Sequence, residues 1–279
     1  MTPPQPARLG ALLDRYDGVL LDAYGVLNDA RGALPHAREL IAALNARGQR
    51  FAIVTNDASR SPATLAARFA GMGMAIAPAQ IVTSGQLIAP HLRGLGLGAD
   101  HRCLVLGTDD SRAYVAAADI EVVDLAHRDP IDAIAVCDDA GSPFLAGIEA
   151  ALSAAIRAMD AGRPIALVLP NPDLVYPKGP GEFGFTAGAM ALLIETALLR
   201  RHADAPRFAH LGKPQPLPFA LAAERLGTRR LLMIGDQLET DIAGARAAGL
   251  DAALVAGVSR WTPERTGPAP TWLLDSLAL

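Results

Sequence analysis

Lysine is almost absent from this chain. Of its 25 basic residues, Lys178 and Lys213 are the two lysines and the other 23 are arginines. Any step that needs a compact ammonium therefore has two candidates. Cysteine is as scarce: Cys103 and Cys137 are the only two, each inside an apolar segment, which favours buried free thiols over a disulfide or a ligand pair. An excess of positive charge is missing as well. The formal charge of −4 and pI near 5.9 provide no field for nucleic acid or anionic lipid, so neither is an expected partner. Long apolar runs are also lacking. The longest helical one, around 187–199, is interrupted by Glu195 and is too short to cross a bilayer. Met1-Thr2-Pro3-Pro4 has no charged segment leading into an apolar one, so no export signal is expected and a soluble, cytoplasmic protein is.

What the chain does contain is alternation. With 279 residues, 51% of them hydrophobic, it can bury one large core or two smaller ones. Short apolar runs alternate with amphipathic segments, the pattern of an α/β fold with parallel strands. Strands are predicted over 19–22, 50–55 and 81–83, with helices over 35–47 and from Ser61-Pro62 onward. The alternation restarts between about 86 and 180, with strands over 102–106, 121–123, 131–137 and 165–169 and helices over 111–118 and 144–160. Proline and glycine crowd 170–184, as a hinge between domains would. Helices over 186–201, 217–226 and 240–248 and strands over 230–234 and 252–255 complete the reading. No repeat stands out, and the Gly94–Gly98 run lacks the later glycine and acid of a dinucleotide site, leaving a flexible turn.

Four segments carry groups that chemistry could use. Asp22 ends the apolar run Val19-Leu20-Leu21, where a carboxylate is costly unless a cation or a donor meets it; on its own it could simply cap a turn. Thr55 and Asn56 end the run Phe51–Val54 and offer neutral donors for an anion, although both residues also bond their own backbone in ordinary turns. Lys213 sits between Gly212 and Pro214, where its ammonium could neutralise Asp22 and a phosphoryl oxygen together or merely be solvated in a loop. In the fourth segment, Leu231–Ile234 runs into Gly235-Asp236, and Thr240-Asp241 opens the next helix. Hard oxygen ligands at a strand end suit Mg²⁺ that shares a phosphate, with Asp241 orienting a bound water, while the bland alternative is a helix cap.

In this order and spacing the four segments resemble the haloacid dehalogenase (HAD) superfamily. Asn171-Pro172-Asp173 and the stretch from Phe185 to Gly212-Lys213-Pro214 are similar to subfamily IIA, the NagD-like and pyridoxal-phosphate-phosphatase-like branch. The resemblance implies a Rossmann-like core with a parallel sheet over 1–85 and 181–279, and an inserted α/β cap over 86–180 that governs substrate specificity. It further implies that Asp22 attacks phosphorus and that Mg²⁺ is held by Asp22, Asp236 and the Tyr24 carbonyl, with Asp241 supporting the metal. Thr55 and Asn56 would bind the phosphoryl group, Lys213 would balance charge, and Asn171 and Asp173 would face a small phosphorylated metabolite. A homodimer through the cap is common in that branch, and the oligomeric state is left open.

Two residues depart from the pattern. The branch's phosphatases carry a second aspartate where this chain has Tyr24; it protonates the leaving group and then activates water. A phenol titrates near about 10 and is a feasible acid but a poor base at neutral pH. Losing a general acid/base costs about 10²–10⁴ in rate, or roughly 3–5 kcal/mol. The second departure is Asp57, in place of the usual asparagine, whose charge would weaken anion binding unless Arg60 pairs with it. The expected function is thus a Mg²⁺-dependent phosphohydrolase of reduced or altered turnover. The alternatives are an impaired phosphate- or metabolite-binding protein and, because Asp-Ala-Tyr-Gly also looks like the first motif of haloacid dehalogenases, a carbon–halogen hydrolase.

Overall fold

The runs Gly18–Leu21, Arg50–Thr55 and Leu231–Gly235 are buried at every position but Arg50. Strands buried on both faces need helices on both sides, and consecutive residues must feed opposite cores. They do: Val19, Leu21, Phe51, Ile53, Leu232 and Ile234 join one core, while Leu20, Ala52, Val54, Leu231 and Met233 join another. Helices Ala37–Ala46 and Pro62–Gly71 supply the first, through residues such as Leu40, Ile41 and Phe69. Helices Leu217–Leu226 and Ala243–Ala247 supply the second, through Phe219, Ala222 and Ala245. The strands form one seven-stranded sheet in the order Gln5–Pro6, Trp272–Leu274, Asp251–Val255, Leu231–Gly235, Gly18–Leu21, Arg50–Thr55, Ile81–Thr83. This is a Rossmann-like α/β architecture.

The computed structural model describes residues 3–179, 181–257, 259–262 and 267–279. By contacts the chain divides into two units. The first comprises the chain up to Thr55, Pro62–Val82 and the chain from Lys213 onward; the second comprises Asn56–Ser61 and Thr83–Gly212. The second unit holds its own five-stranded parallel sheet, ordered Ala209–His210, Ala166–Leu169, Ala133–Val136, Arg102–Leu106, Glu121–Val123. Helices Phe144–Asp160 and Ala187–Arg201 cover one face of it.

The expected domain division at 86 and 181 therefore differs from the observed one. Ala187, Met190, Ile194 and Leu198 belong to the second unit's core, and the short strand Ala209–His210 pairs with Ala166–Leu169. The chain leaves that unit only at Gly212. The region read as a hinge holds an antiparallel hairpin, Val175–Gly179 with Glu182–Phe185. Among the described residues, no helix is long and apolar enough to cross a membrane.

Candidate functional site

In the first unit, three neighbouring strands run parallel and so end at one edge of the sheet. Thr55 closes Arg50–Thr55, Asp22 follows Gly18–Leu21, and Asp236 follows Leu231–Gly235. Carboxyl ends of parallel strands are where open α/β sheets bind ligands. The Asp22 amide still donates to the Ile234 carbonyl at 3.0 Å, so the backbone stays on the ladder where the side chain leaves the apolar run.

Lys213 is drawn into the same place. Its Nζ donates to Asp22 Oδ1 and to Asp241 Oδ1, each at 2.6 Å, and its side chain is 3% exposed. The other oxygen of Asp241 accepts the backbone amides of Asp236 and Gln237, both at 3.2 Å. That back-bonding explains a difference from expectation. Instead of a helix opening at Thr240, a wide π turn spans Leu238–Ile242 and the helix proper is Ala243–Ala247. Gly25, which follows Tyr24, adopts φ +93°, and a Cβ there would lie 2.3 Å from Asp236 Oδ2. Glycine therefore lets the chain after Tyr24 pass against the Asp236 carboxylate. Tyr24 itself is half-buried.

The charges do not balance. Asp22, Asp236 and Asp241 are three buried carboxylates beside one ammonium, which leaves two formal negative charges. Burial pushes the Asp22 carboxyl well above the usual carboxylate range; Lys213 opposes this, and the neighbouring Asp241 and Asp236 add to it. Burial would strip the proton from Lys213, but Asp22 and Asp241 outweigh it and hold the ammonium above its ordinary range. One oxygen from each carboxylate lies within 4.8 Å of the others. An all-oxygen, net-negative, buried donor set fits a hard divalent cation such as Mg²⁺.

The remaining predicted residues meet in the second unit. Asn56 Nδ2 donates to both carboxylate oxygens of Asp173, at 3.3 and 3.4 Å. The Asp173 amide donates to Asn171 Oδ1 at 3.2 Å, and Asn171 Nδ2 donates to Thr186 Oγ1 at 3.0 Å. At Gly212 a Cβ would stand 2.3 Å from the Pro170 carbonyl oxygen and 2.5 Å from Asn56 Oδ1, so the residue before Lys213 has no room for a side chain. Asp57 is paired with Arg60, whose Nη1 donates to Asp57 Oδ2 at 2.9 Å. Its Oδ1 accepts the Ser59 amide and hydroxyl, both at 2.8 Å, and the Arg60 amide at 3.1 Å. The unpaired charge that would have weakened anion binding is thus absorbed by the turn itself. Sequence reasoning missed Gly25 and a row of hydroxyls that grips residues 56–60. The row had a signal: Thr108, Ser111 and Tyr114 recur every three residues, the spacing of one helix face.

Residues 19–121 match the family described as haloacid dehalogenase-like hydrolase, and residues 210–279 match a HAD-hydrolase-like family. Mouse (Mus musculus) chronophin is 32% identical over 261 residues, covering 91% of this chain and 85% of its own. A possible sugar phosphatase of the HAD superfamily from Cytophaga hutchinsonii superposes with a TM-score of 0.85 at 30% identity, over 99% of each chain. A Mycobacterium tuberculosis glycerol phosphate phosphatase solved with magnesium gives a TM-score of 0.79 at 28% identity, over 95% of this chain and 76% of its own.

Proposed function

This chain belongs to the haloacid dehalogenase-like hydrolases, and from that premise we propose that it is a Mg²⁺-dependent phosphohydrolase of small phosphorylated metabolites, acting through an aspartyl-phosphate on Asp22. The observation that carries the reading is the buried set of Asp22, Asp236 and Asp241 around Lys213 at the strand edge that Thr55 also reaches. Phosphatases of glycerol phosphate among its relatives support the substrate class.

The Asp22 carboxylate attacks phosphorus, the bond to the leaving oxygen breaks, and that oxygen takes up a proton. Water then attacks the phosphoaspartate, releasing phosphate and restoring the carboxylate. Lys213 orients Asp22 through its 2.6 Å bond and offsets part of the charge gathered there. Thr55 and Asn56 bind the phosphoryl oxygens. Asp22, Asp236 and the Tyr24 carbonyl, with Asp241 alongside, would hold Mg²⁺, which would neutralise part of the phosphoryl charge. Asn171 and Asp173 contact the organic part of the substrate. Tyr24 occupies the sequence position at which the family's phosphatases carry the acid/base aspartate, and proton transfer is then the slow part of the cycle, most of all for the water step, which needs a base.

The test is phosphate release from p-nitrophenyl phosphate with and without Mg²⁺. Asp22→Asn is expected to remove the activity; release that persists in that variant, or none from wild type at high enzyme concentration, would sink the reading. Tyr24 also supports a second reading, a binding protein that no longer turns over. A phosphorylated ligand that raises the melting temperature with Mg²⁺ and is recovered intact would favour it. Carbon–halogen hydrolysis fits less well, since it needs no metal and so does not call for the net-negative set of Asp22, Asp236 and Asp241.

A further inference from the structure

The segment from Asn56 to Ser61 follows Thr55 directly, yet belongs to the second unit. Four of its backbone carbonyls accept hydrogen bonds from side-chain hydroxyls of that unit. Ser84 Oγ donates to the Asn56 carbonyl at 2.8 Å, and Ser111 Oγ to that of Ala58 at 2.8 Å. Thr108 Oγ1 donates to the Ser59 carbonyl at 2.6 Å, and the Tyr114 phenol to that of Arg60 at 2.8 Å. The Ser61 amide donates to Asp110 Oδ2 at 2.7 Å. Thr108 caps the helix Asp109–Ala116, which carries Ser111 and Tyr114 on the same face. Tyr114 reaches further, with Thr83 Oγ1 2.7 Å from its hydroxyl. Burial raises the Tyr114 phenol above its ordinary range, so it remains a donor at any working pH.

A turn needs its buried carbonyls satisfied, but backbone partners or water would serve for that. A row of hydroxyls does something more specific. Each carbonyl engaged by a donor on the helix side is a carbonyl dipole that cannot be aimed at an arriving phosphate, while the Asp57 carboxylate is absorbed by Ser59 and Arg60. We propose that Ser84, Thr108, Ser111 and Tyr114 are positioning residues for phosphoryl binding: they hold the turn that starts at Asn56 in the conformation that presents Asn56 to an anion. This rests on the phosphohydrolase reading for the identity of the anion.

Tyr114→Phe and Ser84→Ala each remove one hydroxyl and keep the rest of the side chain or nearly so. In each variant the KM for p-nitrophenyl phosphate and the inhibition constant of inorganic phosphate are expected to rise together, by about three- to tenfold, the usual worth of one such bond. The kcat is expected to stay within about twofold, because the hydroxyls touch no reacting atom. Amide exchange over residues 57–61 is expected to quicken in step. Variants that melt lower but keep wild-type KM, phosphate inhibition and exchange would reduce the row to a purely structural role and overturn the proposal, as would a fall in kcat at constant KM. If the wild type binds inorganic phosphate by calorimetry without hydrolysing esters, hydrolysis fails as the function, and the same rise in the phosphate dissociation constant still supports the positioning role. A wild type that neither binds phosphate nor releases it would overturn both.

Discussion

Lys213 and Tyr24 illustrate opposite relations between a residue and its surroundings. Lys213 is determined by its partners: two buried carboxylates accept from its ammonium, each at 2.6 Å. Lys213→Met removes the ammonium and strands Asp22 and Asp241 in a buried setting. Without metal this is expected to cost about 3–5 kcal/mol, the usual penalty for breaking a buried pair from one side. Urea melts in EDTA measure it, and a loss under about 1 kcal/mol would mean that water or proton uptake relieves the site. Tyr24 is the residue its partners do not account for. Tyr24→Asp restores a carboxyl able to serve as both acid and base, and is expected to raise turnover of alkyl phosphates at least about tenfold, or about 1.4 kcal/mol of barrier. Aryl phosphates, whose leaving groups need less help, should gain less at the bond-breaking step. An unchanged rate would place the deficit elsewhere. At this scale the sequence was legible where scarcity did the sorting: with two lysines, one held between Gly212 and Pro214 was easy to single out. Gly25 was not, because its reason is a carboxylate more than two hundred residues away in the chain.

Elements were legible where burial and periodicity agree. The runs 50–55, 102–106, 144–160 and 217–226 end where read, because each apolar run meets a charge, glycine or proline at its boundary. The edge strand Gln5–Pro6 and its neighbour Trp272–Leu274 are too short to carry a period; they are strands because they pair with each other and Trp272–Leu274 also pairs with Asp251–Val255. The hairpin Val175–Gly179 with Glu182–Phe185 was hidden by its prolines and glycines, which usually punctuate loops. Glu195 shows how an apparent interruption can be an anchor. It was read as a break in an apolar helix; in the structure its Oε2 accepts the Phe208 amide at 2.9 Å and its Oε1 meets Arg207 at 2.7 Å, tying the helix to the approach of strand Ala209–His210. Partial burial works to raise this carboxyl, but the Phe208 amide and Arg207 outweigh it and hold it below the usual range. A depressed folded-state value means the stabilisation is present above the unfolded value of 4.5 and is lost as pH falls through the folded one. Glu195→Gln should thus be less stable than wild type at pH 7 by about 1 kcal/mol, with the two converging in acid. Parallel acid-limb curves for the two proteins would contradict the assignment.

At the scale of the whole molecule, the chain passes between the two units at Thr55/Asn56, Ser61/Pro62, Val82/Thr83 and Gly212/Lys213. Two of these passages fall between Thr55 and Asn56 and between Gly212 and Lys213, so Thr55 and Lys213 belong to one unit while Asn56 and Gly212 belong to the other. Composition could not reveal this division, since it depends on which core receives Leu198 and on hydroxyls that grip residues 56–60. Each unit has a sheet and a core of its own, which is the condition for sub-global opening of one without the other. The carboxylates suited to Mg²⁺ all lie in the first unit. Mg²⁺ at about a hundred times its dissociation constant should therefore stabilise that unit by about 2.7 kcal/mol. Amide exchange through opening should slow about a hundredfold in strands Gly18–Leu21 and Leu231–Gly235. Strands Arg102–Leu106 and Ala133–Val136 of the second unit should exchange as before. Asp236→Asn should erase the difference. Equal slowing in both sheets would show that they open as one cooperative body, and slowing that survives Asp236→Asn would move the cation away from this set of carboxylates.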